Sequence, residues 1–346
     1  MYQLTEKLIN LVPYEPETGD YKIRLDANES FLEPVKELQD VINMAVKQVT
    51  YNRYPDPKAT RLCNFFAQYH EIDSGLITAG NGSDELISVI INCFLKKGDT
   101  IVTVSPDFSM YNFYGSLAES NIVTLSKNEN LQINGDELIH TVNEQQAAML
   151  IFSNPCNPTS LGLKRKDVLK IIESVNALVV IDEAYMDFWT ETVIKEVTEY
   201  DNLIILRTCS KMMGMAAMRL GFAVANKTLT NALQAAKSPY NVNALTQAVG
   251  AALLAHPDDI RDSVTLITET RNDLYLTIKD IAQGKQTKVF ETCANFILIK
   301  PRDAAAVSEG LKKEGILVRH LGEYLRITVG SPVENRALVA ALLRLL

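Results

Sequence analysis

The chain alternates between short, continuously apolar runs and longer stretches in which apolar residues recur at helical spacing. Continuous apolar runs are typical of strands in a sheet that is covered on both faces. Glycine, proline or polar residues follow most of these runs and mark the turns. The pattern predicts strands near 76–79, 100–104, 121–125, 148–152, 178–181, 203–206 and 220–225, with helices at about 34–48, 83–95, 105–118, 135–145 and 165–175.

This alternation predicts an α/β fold with a mostly parallel, doubly wound sheet. After residue 243 the pattern changes to two long helical segments, which end near residue 281, followed by short strands and helices up to the C-terminus. Residues 1–33 form an arm without a periodicity of its own. We therefore predict a large domain over residues 34–243 and a second, smaller α+β domain built from residues 1–33 and 244–346.

Composition narrows the range of partners. The net charge of −8 argues against nucleic acid, which requires a basic face on its partner, but it leaves small-molecule ligands open. The five cysteines are scattered and the four histidines lack ligand spacing, so we expect a reducing, cytoplasmic environment and no metal site. The sequence has no signal-peptide pattern and no apolar run long enough for a bilayer, so we expect no membrane association.

Chemically distinctive side chains follow the predicted strands, and in doubly wound sheets ligands bind beyond the carboxyl ends of the strands. Gly80-Asn-Gly-Ser-Asp-Glu85 combines a glycine turn with a helix start, which suits a phosphate, although Ser83 as a plain N-cap explains it too. Phe108 either stacks on a flat ring or belongs to the core. Asn157 either donates a hydrogen bond to a ligand or forms a turn.

Two charged residues follow buried runs. Asp182 ends an apolar strand, so its carboxylate either has a cationic partner, such as a protonated pyridine nitrogen, or caps a helix. Tyr185 brings a hydroxyl close to it. Lys211 follows the run that ends at Leu206; burial lowers the pKa of such an amine and makes it a nucleophile, whereas the alternative is a snorkelling surface lysine.

These groups together match one cofactor. A phosphate cradle, a stacking aromatic ring, a buried aspartate, and a lysine with an arginine eight positions later are what pyridoxal 5'-phosphate requires. No single one of these residues is decisive, but their common position at strand ends favours the cofactor site over unrelated structural roles.

The order of the motifs resembles the histidinol-phosphate aminotransferase family, one of the aspartate-aminotransferase-like, fold-type-I pyridoxal-phosphate enzymes. The matching motifs are LDANE, RYPDP, GNGSDE, PDFSMY, NPCNPT, DEAY, SK, ANF and LRITVG, which extend from about Tyr14 to Gly330. The resemblance implies a transaminase that acts on histidinol phosphate and 2-oxoglutarate in histidine biosynthesis. Aromatic amino acid aminotransferases and a threonine-phosphate decarboxylase are similar to the same branch and remain alternatives.

The resemblance also implies roles for individual residues. Lys211 would form a Schiff base with the cofactor and move the substrate proton. Asp182 would pair with the ring nitrogen, while Asn157 and Tyr185 would contact the phenolic oxygen. Phe108 would stack on the ring.

Further roles concern the phosphate and the substrate. The resemblance implies that the cofactor phosphate is held by Ser83, Asp84, Ser210 and Arg219, with Tyr54 reaching in from the partner subunit of a homodimer. Arg326 of LRITVG would bind the anionic group of the substrate, with Tyr14 and Arg319 as weaker candidates. One guanidinium fork suits both the carboxylate of glutamate and the phosphate of histidinol phosphate.

Three positions depart from the family pattern. Ser160 stands where a glycine usually follows NPT, Ser30-Phe31 where a proline is expected after LDANE, and Ala217 where a glycine usually precedes the phosphate arginine. The segment from Met212 to Met218 is rich in methionine, which can reshape a pocket. None of these departures removes a catalytic group.

Overall fold

A computed structural model describes residues 2–9, 11–13, 15, 17–33 and 35–346, and for residues 35–37 it describes the backbone alone. The strands of this part of the chain are β1 (Ile23–Leu25), β2 (Ile77–Asn81), β3 (Thr100–Ser105), β4 (Asn121–Ser126), β5 (Met149–Ser153), β6 (Leu178–Asp182), β7 (Leu203–Thr208), β8 (Leu220–Ala225), β9 (Lys288–Val289), β10 (Phe296–Lys300), β11 (Ile316–Leu321) and β12 (Tyr324–Thr328).

The α-helices lie between and around these strands. They are α1 (Glu6–Ile9), α2 (Val35–Lys47), α3 (Thr60–His70), α4 (Gly82–Phe94), α5 (Met110–Leu117), α6 (Gly135–Glu144), α7 (Arg165–Ser174), α8 (Cys209–Met212), α9 (Lys227–Ala236), α10 (Ala244–Leu254), α11 (Pro257–Ala282), α12 (Ala304–Lys313) and α13 (Pro332–Leu345). Of these, α1, α3, α8 and α9 lie outside the predicted elements, and α1 lies in the arm that was expected to be irregular. Buried Leu62, Cys63, Phe66 and Ala67 give α3 a clear helical spacing.

The larger sheet has the strand order β2-β8-β7-β6-β5-β3-β4. Strands β3 to β7 pair in parallel, whereas β8 is antiparallel to both β7 and β2. The predicted α/β fold with a mostly parallel sheet is thus confirmed. Strands β5 and β7 are buried at every position, which explains why their sequences are continuously apolar instead of alternating.

Helices cover both faces of this sheet. Successive residues of β6 point to opposite sides, so Val179 and Ile181 join one hydrophobic cluster and Val180 joins the other. The core is therefore divided into two layers by the sheet itself. This arrangement leaves the carboxyl edge of the parallel strands as the place where polar side chains can converge.

The smaller sheet has the order β1-β11-β12-β10-β9 and its own hydrophobic cluster. Strand β1 pairs in parallel with β11, with Ile23 opposite Ile316. The expectation of an irregular N-terminal arm is therefore wrong for residues 23–25. A strand of three residues is too short to show a period, and its partner lies near the other end of the chain.

Helix α10 packs against α2 and α3, beside the larger sheet, while α12 and α13 pack against each other beside the smaller one. Helix α11 contacts both α10 and α13 and so connects the two parts. The division of the chain after residue 243 stays a prediction.

Candidate active site

The carboxyl edge of the larger sheet meets the smaller sheet and the segment Asp26–Asn28. The amine of Lys211, in the short helix α8 that follows β7, donates to the backbone carbonyl of Ala27 at 3.1 Å. Asn28 donates through its side chain to the Tyr185 hydroxyl at 2.9 Å. Residues from three separate parts of the chain therefore surround one polar site.

Asp182 ends β6 and is almost completely buried. Its Oδ1 accepts from the backbone N–H of Ala184 at 3.0 Å, and its Oδ2 accepts from the Tyr111 hydroxyl at 2.9 Å. The pKa of Asp182 is raised to about 7, chiefly by burial; the negative charges of Asp107 and Asp84 act in the same direction, and the two hydrogen bonds act against it. Such a carboxylate is stabilised by a cation placed next to it.

In Lys211, burial disfavours a positive charge instead of a negative one. Burial lowers the pKa of its amine to about 8, and the positive charges of Arg326 and Arg219 add to this effect. The carboxylates of Glu29 and Asp84 act in the other direction. A substantial neutral fraction near pH 8 makes this amine a nucleophile and a base. Lys211 is half-buried by solvent accessibility and its amine is bound by the Ala27 carbonyl, so its role as a nucleophile stays a prediction.

A cradle for an anion lies at the start of α4. Gly82 has φ of +82°, and a Cβ built on it would lie 2.8 Å from Nη2 of Arg219. Arg219 itself has φ of 50°, and its Nη2 lies 4.0 Å from the Asp84 carboxylate. Ser83 and Asp84 lie in the first turn of α4, where backbone N–H groups without a partner in the helix can bind a phosphate.

Ser210 adds a hydroxyl near this cradle. Thr208 caps α8 by accepting from the Ser210 N–H, and its own hydroxyl donates to Ser210 Oγ at 3.0 Å. Gly221 on β8 lies against the start of α4, because a Cβ there would approach Ser83 N to 2.4 Å. The strand and the helix start are therefore in backbone contact, and the predicted phosphate residues lie together.

The turns after β3 and β5 carry two of the residues predicted to contact the ring, Phe108 and Asn157. The Asp107 carboxylate accepts from the N–H of Phe108 at 2.7 Å and from the N–H of Ser153 at 3.1 Å. Ser153 donates to the same carboxylate through its hydroxyl, which accepts from the N–H of Asn157 at 3.2 Å. Asp107 thus fixes the positions of both turns. Phe108 packs edge-on against Tyr111.

The arginines of the smaller sheet face this edge. Arg326 on β12 is buried and donates to the side chain of Asn157 and to the backbone carbonyl of Asp26. Its guanidinium lies 5.5 Å from the ring centroid of Phe296. Arg319 on β11 pairs directly opposite Arg326 in the antiparallel ladder, so both side chains are on one face of the sheet. Like charges in this position favour an anionic ligand between them.

Of the predicted residues that the structure describes, Tyr54 lies apart from this cluster. Tyr54 is 82% exposed and stacks on Tyr240 with a centroid distance of 4.6 Å. Tyr14 lies outside the described residues. The prediction that Tyr54 acts in a partner subunit is compatible with its exposure but stays a prediction.

Three residues of the site were not predicted from the sequence: Tyr111, Asn28 and Asp107. Tyr111 follows Phe108 by three residues, and this helical spacing is the signal that could have placed it beside the same strand end. Asn28 belongs to LDANE and has φ of 53°, an unusual conformation that asparagine tolerates better than most residues. For Asp107, the only indication in the sequence of a place in the site is its position between Pro106 and Phe108.

The described residues contain no group of histidine, cysteine or carboxylate side chains that could hold a metal ion. In the same part of the chain, no helix has the length and apolarity that crossing a membrane requires.

The buried charges test whether pyridoxal phosphate fits this site. Asp182 needs a cation, which a protonated ring nitrogen supplies, and the α4 start with Arg219 needs an anion, which a phosphate supplies. Lys211 presents an amine of lowered pKa between them. The fold and the site together define a fold-type-I pyridoxal-phosphate enzyme.

Comparison with known proteins narrows this class. Residues 20–342 match the family described as Aminotransferase class I and II. The histidinol-phosphate aminotransferase of Clostridium novyi (strain NT) is 42% identical over 328 residues, which cover 93% of this chain and 91% of that protein. The same enzyme of Clostridium kluyveri is 42% identical over 346 residues, covering 99% of this chain and 98% of that protein.

A solved structure is also similar. The histidinol-phosphate aminotransferase from Sinorhizobium meliloti, in complex with pyridoxal-5'-phosphate, superimposes with a TM-score of 0.89 at 21% identity and covers 100% of this chain and 98% of that chain. The chain belongs to the class I and II aminotransferases and, within them, to the histidinol-phosphate aminotransferase family. It is thus a pyridoxal-phosphate-dependent transaminase, as the motifs predict.

The lowered pKa of Lys211 predicts a pH-dependent stability of the cofactor-free protein. The folded state holds this amine at a pKa of about 8, below the value in the unfolded chain, so burying the charged form is a cost at low pH. Relative to Lys211→Met, the wild type should therefore gain stability as the pH rises from about 8 to about 10.5. Urea unfolding at a series of pH values measures this difference.

The exposed substitution Lys313→Met controls for the loss of a lysine as such. A stability difference between Lys211→Met and the wild type that stays constant over this range would contradict the assignment.

The close approach of β8 to α4 gives a second prediction. In Gly221→Ala the new Cβ must displace the backbone of Gly82 and Ser83. We expect a loss of about 1–3 kcal/mol in the free energy of unfolding, and cofactor binding weakened by about tenfold or more. Absorbance titration with pyridoxal phosphate measures the binding. Gly135→Ala, where the nearest atom is 3.8 Å from the new Cβ, is the matched control and should bind normally.

Proposed function

We propose that this protein transfers the amino group of histidinol phosphate to 2-oxoglutarate and so serves histidine biosynthesis. The observation that carries the proposal is Arg326, whose charge acts on Lys211 and which has Arg319 directly opposite on the neighbouring strand, because the two arginines offer a site for the anionic group of each substrate. The Clostridium relatives, which are named histidinol-phosphate aminotransferases and match nearly the whole chain, support the choice of donor.

The cofactor would be held by residues from several strand ends. Asp182 would face the ring nitrogen, Tyr185 and Asn157 the phenolic oxygen, and Phe108 one face of the ring. The phosphate would be bound by the N–H groups of Ser83 and Asp84 and by the side chains of Ser210 and Arg219. When bound, pyridoxal phosphate supplies an aldehyde that reacts with amines and a ring that stabilises negative charge on the adjacent carbon.

Lys211 would act as the covalent anchor and as the general base. Burial, and to a lesser extent the charges of Arg326 and Arg219, lower the pKa of this amine to about 8, so part of it is neutral near pH 7 and can accept a proton. The Ala27 carbonyl accepts from the amine at 3.1 Å. When neutral, the amine could take a proton from the substrate and return it to a neighbouring atom.

Asp182 would hold the proton on the ring nitrogen. Its low exposure and the hydrogen bonds from Tyr111 and Ala184 fix the orientation of the carboxylate. Tyr111 stays a hydrogen-bond donor, because burial and the charge of Asp182 hold the pKa of its hydroxyl well above the usual value. Tyr185 also stays protonated, since burial raises its pKa to about 12.

The arginine pair explains how two unlike donors use one site. Glutamate carries a side-chain carboxylate and histidinol phosphate carries a phosphate, and a guanidinium fork binds both by paired hydrogen bonds. Arg326 is held in place by Asn157 and by the Asp26 carbonyl, so its fork is oriented before substrate arrives. Arg319 is less buried and adds charge. Tyr14 remains a further candidate.

The protein would act as a homodimer. Tyr54, Tyr51 and Tyr240 are 82%, 71% and 42% exposed, and a cluster of exposed aromatic rings is typical of an interaction surface. A second copy would cover these rings and place Tyr54 at the partner's phosphate site. The free cysteines support a cytoplasmic location, where thiols stay reduced.

A panel of amino donors tests the function. With 2-oxoglutarate as acceptor, we expect histidinol phosphate to have a higher kcat/KM than phenylalanine or threonine phosphate, and the cofactor-loaded protein to absorb visible light. Lys211→Ala should lower kcat by at least about 10²-fold. Release of carbon dioxide from threonine phosphate, or a preference for phenylalanine, would contradict the proposed donor. A protein that takes up no cofactor would contradict the whole assignment.

The guanidinium fork is tested by Arg326→Lys, which keeps the charge and removes the paired hydrogen bonds. We expect kcat/KM to fall by about 10- to 100-fold for histidinol phosphate and for glutamate alike, because both anions would use the same fork. Arg336→Lys, on the exposed side of α13, is the matched control. A change confined to one of the two donors would show that they bind at different places.

A further inference from the structure

The loop between β5 and α7 is attached to the smaller sheet by a buried serine. Ser160 is completely buried and has φ of 62°, a conformation that residues with a side chain rarely adopt. A glycine would occupy this position without strain. The presence of a serine therefore calls for an interaction made by its hydroxyl.

The Ser160 hydroxyl makes its contacts across the chain. Its Oγ lies 2.5 Å from Oγ1 of Thr292 and 3.2 Å from the backbone N of Cys293. Thr292 in turn donates to the carbonyl of Phe296 at 2.6 Å. Because each hydroxyl has one proton, the consistent order is Ser160 donating to Thr292 and Thr292 donating to Phe296. The Ser160 carbonyl also accepts from the N–H of Cys293 at 2.8 Å.

These hydrogen bonds connect the Asn157 loop to the strands of the smaller sheet that carry Phe296 and Arg326. Asn157 lies three residues before Ser160 on the same loop and accepts from Arg326. Phe296 begins β10, which pairs with β12, the strand that carries Arg326. The ring of Phe296 also packs edge-on against Tyr185 at a centroid distance of 5.2 Å. The distance between Asn157 and Arg326 is therefore set from two directions, by their own hydrogen bond and by the bonds of Ser160.

We infer that Ser160 and Thr292 form a latch, the Ser160–Thr292 latch, that positions the Asn157 loop against the Arg326 strand and so sets the affinity for the anionic substrate. The two residues are positioning residues, because neither lies among the groups that face the reacting atoms. The effect on substrate binding rests on the proposed function, but the physical coupling of the two segments does not.

The latch is tested by two pairs of variants in the cofactor-loaded enzyme. Ser160→Gly removes the hydroxyl and the backbone strain together, whereas Ser160→Ala removes the hydroxyl alone. Thr292→Val removes the second hydroxyl at nearly constant shape, whereas Thr292→Ser keeps it. Both alanine and glycine at position 160 lack the hydroxyl, so they should share one kinetic effect and differ in stability, with glycine the more stable.

The expected kinetic result is a split between KM and kcat. Loss of one buried hydrogen bond should raise KM for histidinol phosphate by about 2- to 10-fold in Ser160→Gly, Ser160→Ala and Thr292→Val, with kcat within about twofold of the wild type. Thr292→Ser should restore the wild-type KM. The double variant Ser160→Gly/Thr292→Val should raise KM by clearly less than the product of the two single effects, because both changes remove the bond between the two hydroxyls.

An unchanged KM in both Ser160→Gly and Thr292→Val would overturn the latch. So would equal behaviour of Thr292→Ser and Thr292→Val, or multiplication of the two effects in the double variant. A fall in stability without a change in KM would assign these residues a purely structural role.

Hydrogen–deuterium exchange gives a readout that does not depend on the substrate. The latch predicts faster exchange in segments 154–161 and 292–296 for Ser160→Gly and Thr292→Val, and wild-type exchange for Thr292→Ser. If the wild type does not use histidinol phosphate, the proposed function is wrong. The exchange pattern still shows whether the Ser160–Thr292 latch couples the two segments. Unchanged exchange in both segments would overturn the coupling whatever the substrate is.

Discussion

Three consecutive backbone carbonyls, those of residues 26–28, connect the larger and the smaller sheet through hydrogen bonds. The carbonyl of Asp26 accepts from Arg326, that of Ala27 from Lys211, and that of Asn28 from Asn295. A short irregular segment thus contacts both sheets through groups that every residue has. The side chains of these residues are free to act elsewhere, and Asn28 uses its own on Tyr185.

The chemistry of the site depends on burying charges of opposite sign without pairing them to each other. Burial raises the pKa of Asp182 to about 7 and lowers that of Lys211 to about 8. Each shift is a cost to the folded protein without a ligand. A ligand with a cationic ring, an aldehyde and a phosphate relieves these costs together, so the same feature that destabilises the empty fold provides its affinity for the cofactor.

The sequence was a good guide where a property is local. The run Leu178–Ile181 is apolar at every position because β6 is covered on both faces, and Asp182 follows it because the strand ends there. In the structure Lys211 and Arg219 both lie near the Asp84 carboxylate, while their roles toward the cofactor stay predictions. Contacts between distant parts of the chain could not be inferred in this way. Strand β1 pairs with β11, and the Tyr111 hydroxyl donates to Asp182. Neither contact produces a recognisable pattern in the sequence around the residues that make it.

The pairing of β1 with β11 also fixes the order in which the chain can be completed. Ile23 emerges early during synthesis, but its partner Ile316 lies near the C-terminus. All strands of the larger sheet lie before residue 226, so that sheet has its full set of strands long before the smaller sheet does. Strand β1 can take its place only after almost the whole chain has been synthesised. Until then, the Ala27 carbonyl, two residues after β1, is not in position to bind the Lys211 amine.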